Sequence, residues 1–409
     1  MNEYLFTKIR QQFDSNSIAD IEATVIEQVT AKLHIPPGAS IAIGAGSRGI
    51  ANIARIVSAV VAAVKAKGGS PFIFPAMGSH GGATGEGQRE ILATYDITEE
   101  TMGCPIRSSM EVVPLDNGGM ELPLYMDKHA YESDGVILVN RIKPHTAFHG
   151  DYESGLVKMS IIGLGKERLA NAIHSYGVHG LKVLMPQAAR KILATGKVLL
   201  GVGIVENAYD QTAIIEALTP AEILSREPVL LNLAKAMMPS FPMKEIDVLV
   251  VDQIGKNISG SGLDPNVIGR MRIRGESEPP FPNIKTIIIT DLTDVSHGNA
   301  CGIGLADVAT RRLANKVDWD VTYMNGVTSG FYEHFMMPIV APTDWQALEW
   351  GIRATHDPMR PKKIVRITDT LHVSEMYVSQ PALEEVKDKV EILSQPVNLF
   401  DQQGSLIPF

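Results

Sequence analysis

The residues best able to do chemistry crowd into one stretch, Arg141 to His174, reading RIKPHTAFHGDYESGLVKMSIIGLGKERLANAIH. His145 and His149 can shuttle protons near neutral pH, since free imidazole titrates at about 6.5. Lys158 has Leu156, Val157 and Met159 as neighbours, and an apolar setting favours the uncharged amine, which is the nucleophilic form. His174 offers an imidazole to a metal ion. On one continuous helix Lys158 and His174 would stand about 24 Å apart, at roughly 1.5 Å of rise per residue. Gly163-Leu164-Gly165 interrupts that run and lets the chain fold back.

Two glycine-framed loops carry the other reactive groups. His80 sits in Gly78-Ser79-His80-Gly81-Gly82, where the glycines leave the imidazole uncrowded and allow a ligand close to the backbone. Gly44-Ala45-Gly46-Ser47-Arg48-Gly49 fits the G-x-G-x-x-G pattern of dinucleotide sites. That pattern also wants an acidic residue about twenty positions on, for the ribose hydroxyls. No Asp or Glu occurs from Ala51 to Gly85, which weighs against an NAD-dependent oxidoreductase. Ser47 and Arg48 instead offer a hydroxyl and a guanidinium at a helix start, a cradle for one phosphate or carboxylate. A tight turn with a solvated arginine is an equal reading of the same residues. His174 and His179 are five apart, poor spacing for shared metal ligation on a helix. In the second half, Lys256, Asp264 and Arg270 in one loop and His297 with Asn299 in another either line a cleft or tie down turns.

These groups need a frame that gathers loop ends. Short apolar strands are expected at 40–43, 71–74, 135–140 and 197–205, with helices near 50–67, through Glu90, and at 184–194, after a helical lead-in over residues 1 to 35. Strand, loop, helix in alternation is the mark of a parallel sheet, whose ligands bind beyond the carboxyl ends of its strands. The proline-rich, aperiodic MMPSFPM at 237–243 predicts a domain boundary, giving an α/β domain over 1–240 and a second over 241–409. Strands near 246–251, 284–290, 321–324 and 363–368 and helices near 305–316, 344–354 and 381–390 are expected in the second. Each domain should hold a mainly parallel sheet flanked by helices, with the active site in the cleft between them.

Composition bounds the class. The 409 residues are 45% hydrophobic and 20% charged, which suits a globular protein with two cores. A net charge of −9 argues against nucleic acid or an anionic membrane as a main partner. MNEYLFTKIRQQFD lacks the apolar core of a signal peptide, and no uncharged run is long enough to span a bilayer, so the cytoplasm is the expected location. Cys104 and Cys301 read as small buried hydrophobes rather than a disulfide or metal site.

PHTAFHG, the ESGLVKM that follows, and a histidine sixteen residues after the lysine resemble the core of the lactate racemase family, the nickel-pincer-nucleotide enzymes. The resemblance implies a racemase or epimerase of a small 2-hydroxy acid that works by reversible hydride transfer. It implies Lys158 in thioamide linkage to a pyridinium mononucleotide, His174 on its nickel, and His80 and His145 as the two catalytic bases. It further implies cofactor-biosynthesis enzymes as partners, an anion site at Ser47 and Arg48, and Lys256 near the substrate carboxylate. Ser79 stands for the family's threonine before His80. The interval from His145 to Lys158 is longer than the family's, which leaves His149 as an alternative base. Leu156-Val157 replaces a small, basic pattern, and the aspartate expected near Arg48 is absent. A cofactor-free ligand-binding relative is the remaining alternative.

Overall fold

The computed structural model describes residues 4–46 and 49–409, an α/β chain that divides into two compact units. Ser47 and Arg48, expected to cradle an anion, lie outside the described residues.

The first unit, Asp14–Met237, is built on a five-stranded sheet in the order Ser70–Pro75, Ser40–Ala45, Gly135–Arg141, Val198–Glu206 and Thr212–Leu218. The first four run parallel and only the last pair is antiparallel. Gly135–Arg141 shows why the centre is a strand. Val136, Ile137, Leu138 and Val139 are all buried, as both faces of a central parallel strand must be. Val136 and Leu138 join Phe72, Phe74, Leu156 and Ile192 in one core, while Ile137 and Val139 join Ile41, Ile43, Val57 and Val60 in the other. Alternate residues therefore serve opposite faces, and helices cover both: Ile21–Lys32 and Ile53–Ala66 on one, Lys166–His174, Met185–Ala194 and Pro220–Met237 on the other.

From Ser40–Ala45 the chain moves outward to Ser70–Pro75 and later returns to Gly135–Arg141 on the opposite side. Such a reversal of strand order opens a crevice at the carboxyl edge. The loops that follow these three adjacent strands emerge together there.

The second unit joins the N-terminal residues up to Phe13 to Met238–Phe409. Its nine-stranded sheet runs Ile339–Ala341, Val308–Thr310, Asn283–Leu292, Glu245–Ile254, Ile364–Ile367, Glu375–Ser379, Leu5–Arg10 and Glu391–Ile392, with Val397–Asn398 also paired to Leu5–Arg10. The first five are parallel and the rest antiparallel.

Three local expectations are corrected. Residues 5–10 form a strand of the second unit's sheet rather than a helical lead-in to the first; Phe6 and Ile9 are buried by partners near position 376. The expected strand at 321–324 lies inside the helix Trp319–Ser329, which Asp318 caps by accepting from the amides of Asp320 and Val321 and which Gly330 closes with φ +73°. The expected helix at 305–316 is split by a parallel strand at Val308–Thr310, leaving Arg311–Lys316 helical.

Candidate functional site

The strand Gly135–Arg141 delivers the chain into a loop closed at its mouth by paired backbone hydrogen bonds between Lys143 and Ser154. Its centre is the buried Glu153. One carboxylate oxygen accepts from the His145 amide at 2.7 Å; the other accepts from the Gly150 amide at 3.1 Å and pairs with Lys235 Nζ at 2.6 Å. The His149 ring lies against both oxygens, with Nδ1 at 3.3 and 3.4 Å. Burial pushes the Glu153 carboxyl up, but His149, Lys235 and the His145 amide outweigh it and hold it below the ordinary value. Glu153 thus fixes the backbone around both histidines.

Lys158 rises from a helix that begins at Leu156. Gly155 supplies no side-chain cap. The cap comes from the helix Pro220–Met237, where Glu227 Oε2 accepts from the Val157 amide at 2.9 Å. Asn140, at the end of the strand, donates to the Gly155 carbonyl at 2.9 Å and ties helix start to sheet edge. A Cβ on Gly155 would lie 2.2 Å from Glu227 Oε1, so the close approach requires glycine there. Glu227 is buried, its Oε1 has no hydrogen-bond partner among the described residues, and burial pushes its carboxyl up to about 8.

The decisive contact is between two sequence-predicted residues: Lys158 Nζ lies 2.8 Å from His145 Nε2. The other ring nitrogen, Nδ1, accepts from the Ala147 amide at 3.0 Å. Phe148 packs on the His145 ring, with centroids 4.6 Å apart. After Lys158 the helix widens into a π turn over Met159–Gly163, a feature frequent at functional sites. The chain then turns at Lys166, φ +53°, into the helix Lys166–His174. This turn answers the spacing problem, because His174 comes within electrostatic reach of Lys158. Burial first, and then the positive charge of Lys158, lower the His174 imidazole to about 4. The residue is nonetheless exposed, which makes its imidazole a reachable nitrogen donor.

His80 caps a short 3-10 turn, and its side chain is exposed. Its loop packs on the segment after Lys158: a Cβ on Gly78 would meet Ile162 at 2.9 Å, and one on Gly163 would meet the Ala76 carbonyl at 3.0 Å. Beneath lies a buried polar cluster that sequence reading missed. Gln88 donates to the carbonyls of Gly78 (2.9 Å) and His80 (3.2 Å), while Lys166 Nζ donates to Pro75 O (2.6 Å) and Gln88 Oε1 (3.0 Å) and pairs with Asp127 (3.2 Å). Burial lowers the Lys166 amine against the opposing pull of Asp127. Nothing local announces this cluster, whose Lys166 contacts span 78 and 91 residues.

The remaining expected residues fall elsewhere. Lys256 belongs to the other unit and donates to Asn325 Oδ1 at 2.7 Å. Asp264 caps Pro265–Ile268 and Arg270 pairs with Asp307 at 2.7 Å, the turn-tying roles. His179 is exposed near Glu121. Both cysteines are buried thiols, and Cys301 Sγ donates to the Gly260 carbonyl at 3.4 Å. Among the described residues no three His, Cys, Asp or Glu side chains gather as a metal cluster, and no helix is long and apolar enough to cross a membrane. An open depression of about 500 Å³ beside Gly81, Thr84, Glu86 and Glu90 includes none of His145, Lys158 and His174.

The fold has a solved counterpart. The lactate racemase apoprotein from Thermoanaerobacterium thermosaccharolyticum aligns with 90% of this chain and 99% of its own, at a TM-score of 0.51 and 14% sequence identity. At that identity the likeness is one of fold. No family model and no curated protein sequence shows significant similarity to the chain.

Proposed function

We propose that the protein is a racemase or epimerase of a small 2-hydroxy acid, with Lys158 as the attachment point of a nickel-pincer nucleotide. The observation that carries this reading is the 2.8 Å pairing of Lys158 with His145 at the carboxyl edge of the sheet. The residues fit such a group in two respects. Lys158 is an only partly buried amine, and His174 keeps a neutral imidazole, as a metal ligand must. One histidine alone makes a weak metal site, which suits a metal that arrives with most of its ligands already in place.

When bound, that group supplies the acceptor and donor of the C2 hydride. The chain's own residues handle protons and position. One of His80 and His145 takes the hydroxyl proton as C2 is oxidised, and the other returns a proton once the 2-keto acid has presented its opposite face. Inversion moves the hydroxyl to the other side of a fixed cofactor, so two bases are needed; His149, oriented by Glu153, is the alternative to His145. Arg48 and Lys256 are the proposed partners of the substrate carboxylate.

The test is coexpression with the cofactor's biosynthetic enzymes. A mass increment on the Lys158 peptide, retained nickel, and interconversion of the enantiomers of one 2-hydroxy acid from a panel are expected. Lys158→Ala should lose the increment. His174→Ala should keep it but release nickel more readily. An unmodified Lys158 peptide and no nickel would defeat the reading.

A further inference from the structure

In the buried cluster under the His80 loop, the contacts leave the Gln88 amide one arrangement. Gln88 and Lys166 have no exposed surface. The Gln88 side chain meets three groups: its amide nitrogen donates to the Gly78 carbonyl at 2.9 Å and to the His80 carbonyl at 3.2 Å, and its oxygen accepts from Lys166 Nζ at 3.0 Å. Turned over, it would set its oxygen against two carbonyls and its NH2 against the donor Nζ. Lys166 thus decides which way Gln88 points, and Gln88 decides where the backbone on either side of Ser79 lies. Lys166 is itself anchored by the Pro75 carbonyl at 2.6 Å and paired with Asp127 at 3.2 Å.

The loop needs such a hold from outside. Gly78, Gly81 and Gly82 have φ of +60°, +65° and +63°, and glycine adopts many other conformations as readily. The loop's own backbone bonds lie at the long end of the usual range or beyond it: His80 to the Met77 carbonyl and Ala83 to the Ser79 carbonyl at 3.2 Å, Thr84 to the Gly81 carbonyl at 3.3 Å. Lys166 has φ +53°, a conformation that glycine would take without strain. A lysine kept at such a turn, with its amine given to Pro75 and Gln88, points to a task for the side chain.

We propose that Gln88, oriented by Lys166, is the positioning residue for His80, fixing the backbone from which that imidazole exchanges a proton with the substrate. The proposal rests on the racemase reading above and names the device that keeps one base in register with the metal-binding segment. Lys166 opens the helix that ends in His174, so one amine ties that helix to the end of the strand Ser70–Pro75 and, through Gln88, to the His80 loop. Both residues act only through that loop. Displacing a catalytic group by about 1 Å costs up to 10²-fold in rate, so a loop without this tie would hold its base too loosely to work.

The experiment uses the full chain. In protein made without the cofactor pathway and carrying isotope-labelled histidine, the His80 ring signals, assigned with His80→Gln, are compared between wild type and Gln88→Met, which keeps the side chain's length and removes both donors. Wild type should give one set of His80 signals. Gln88→Met should split or broaden it while the signals of His145, His149 and His174 hold. A residue that merely stabilised its own helix would lower the denaturation midpoint and leave His80 as it was. In protein coexpressed with the cofactor's biosynthetic enzymes, and on the 2-hydroxy acid that the panel identifies, Gln88→Met should lose about 100-fold in kcat at a KM within about twofold of wild type, with the Lys158 adduct and nickel retained. Lys166→Met made together with Asp127→Asn, which strands no carboxylate, should disturb His80 in the same way and add nothing to the effect of Gln88→Met on kcat. His80 signals untouched by Gln88→Met, all four histidines disturbed alike, or effects of Lys166 and Gln88 that add would each overturn the proposal. One measurement needs no variant: the Gln88 side-chain amide hydrogens should resist exchange with solvent in the native chain, and rapid exchange would overturn the proposal even where Gln88→Met fails to fold. A His80 loop loosened by Gln88→Met in a protein that racemises nothing would refute the racemase reading alone; racemisation that survives Gln88→Met undiminished would refute only this proposal.

Discussion

Glu153 is the residue on which both loop histidines depend, and its four partners give its replacement a calculable effect. Glu153→Gln keeps the shape and can still accept a backbone amide, but leaves Lys235 without its anion and removes the charge from the remaining hydrogen bonds. Hydrogen bonds to charged groups contribute about 1.5–3 kcal/mol each, and unequal compensation leaves an expected net loss of about 2–3 kcal/mol at neutral pH. The acid limb follows from the sign of its shift. The folded carboxyl lies below the unfolded value of about 4.3. Its stabilisation is therefore present above that value and is lost as pH falls through the folded pKa. Denaturant titrations of wild type and variant should converge as acid protonates the folded carboxylate, below its unfolded value of about 4.3; curves that stay parallel would remove the charge from the account.

At the scale of elements, the short helix bearing Lys158 is held by a cap from another helix, and that cap titrates in the opposite sense. Glu227 is raised to about 8 when folded. A raised acid contributes stability fully below its unfolded value, about 4.3, and loses it as pH climbs towards the folded one. Glu227→Gln, which does not titrate and can still accept from Val157, should gain on wild type steadily across that window and hold a constant lead above it. Equilibrium unfolding at several pH values measures the gap, and a gap independent of pH would contradict the buried, protonated carboxyl. Much of this element scale was legible. The apolar run GVILVN, bounded by polar residues, announced a central strand, and PHTAFHG followed by a lysine announced the loop and helix it feeds. What stayed hidden depended on distant partners. LFTKIR becomes a strand only through pairing with Glu375–Ser379, and Glu227 becomes a cap only because a later helix reaches back to Val157. The misread 321–324 did carry local signals, Asp318 before the helix and Gly330 after it, which outweighed the β-leaning run of Val-Thr-Tyr.

The whole molecule is discontinuous in sequence, because the strand Leu5–Arg10 sits between Glu375–Ser379 and Glu391–Ile392. Residues 14–237 contain a complete sheet and both of its cores, so that fragment is expected to fold alone, with cooperative unfolding by circular dichroism. Residues 238–409 alone would leave the Glu375–Ser379 edge open, a template for aggregation. They should be poorly soluble, and a separate peptide of residues 4–13 should rescue them. A well-folded 238–409 fragment indifferent to the peptide would show the strand to be dispensable. All three tryptophans, Trp319, Trp345 and Trp350, lie in this unit, so their fluorescence gives it a readout separate from that of the other.

The same strand sets a clock for the nascent chain. Arg10 leaves the ribosome well before its partner Glu375, which is 365 residues further on. At synthesis rates of about 5–20 residues per second, that is a wait of roughly 20–70 s. For that interval the strand segment has apolar side chains and nowhere to put them, while the unit encoded directly after it can already close. A protein that traps exposed apolar segments during synthesis would have a long opportunity to hold this one, and a bulky group attached beside it would hinder its pairing with the distant Glu375–Ser379 strand rather than the folding of the unit that follows it.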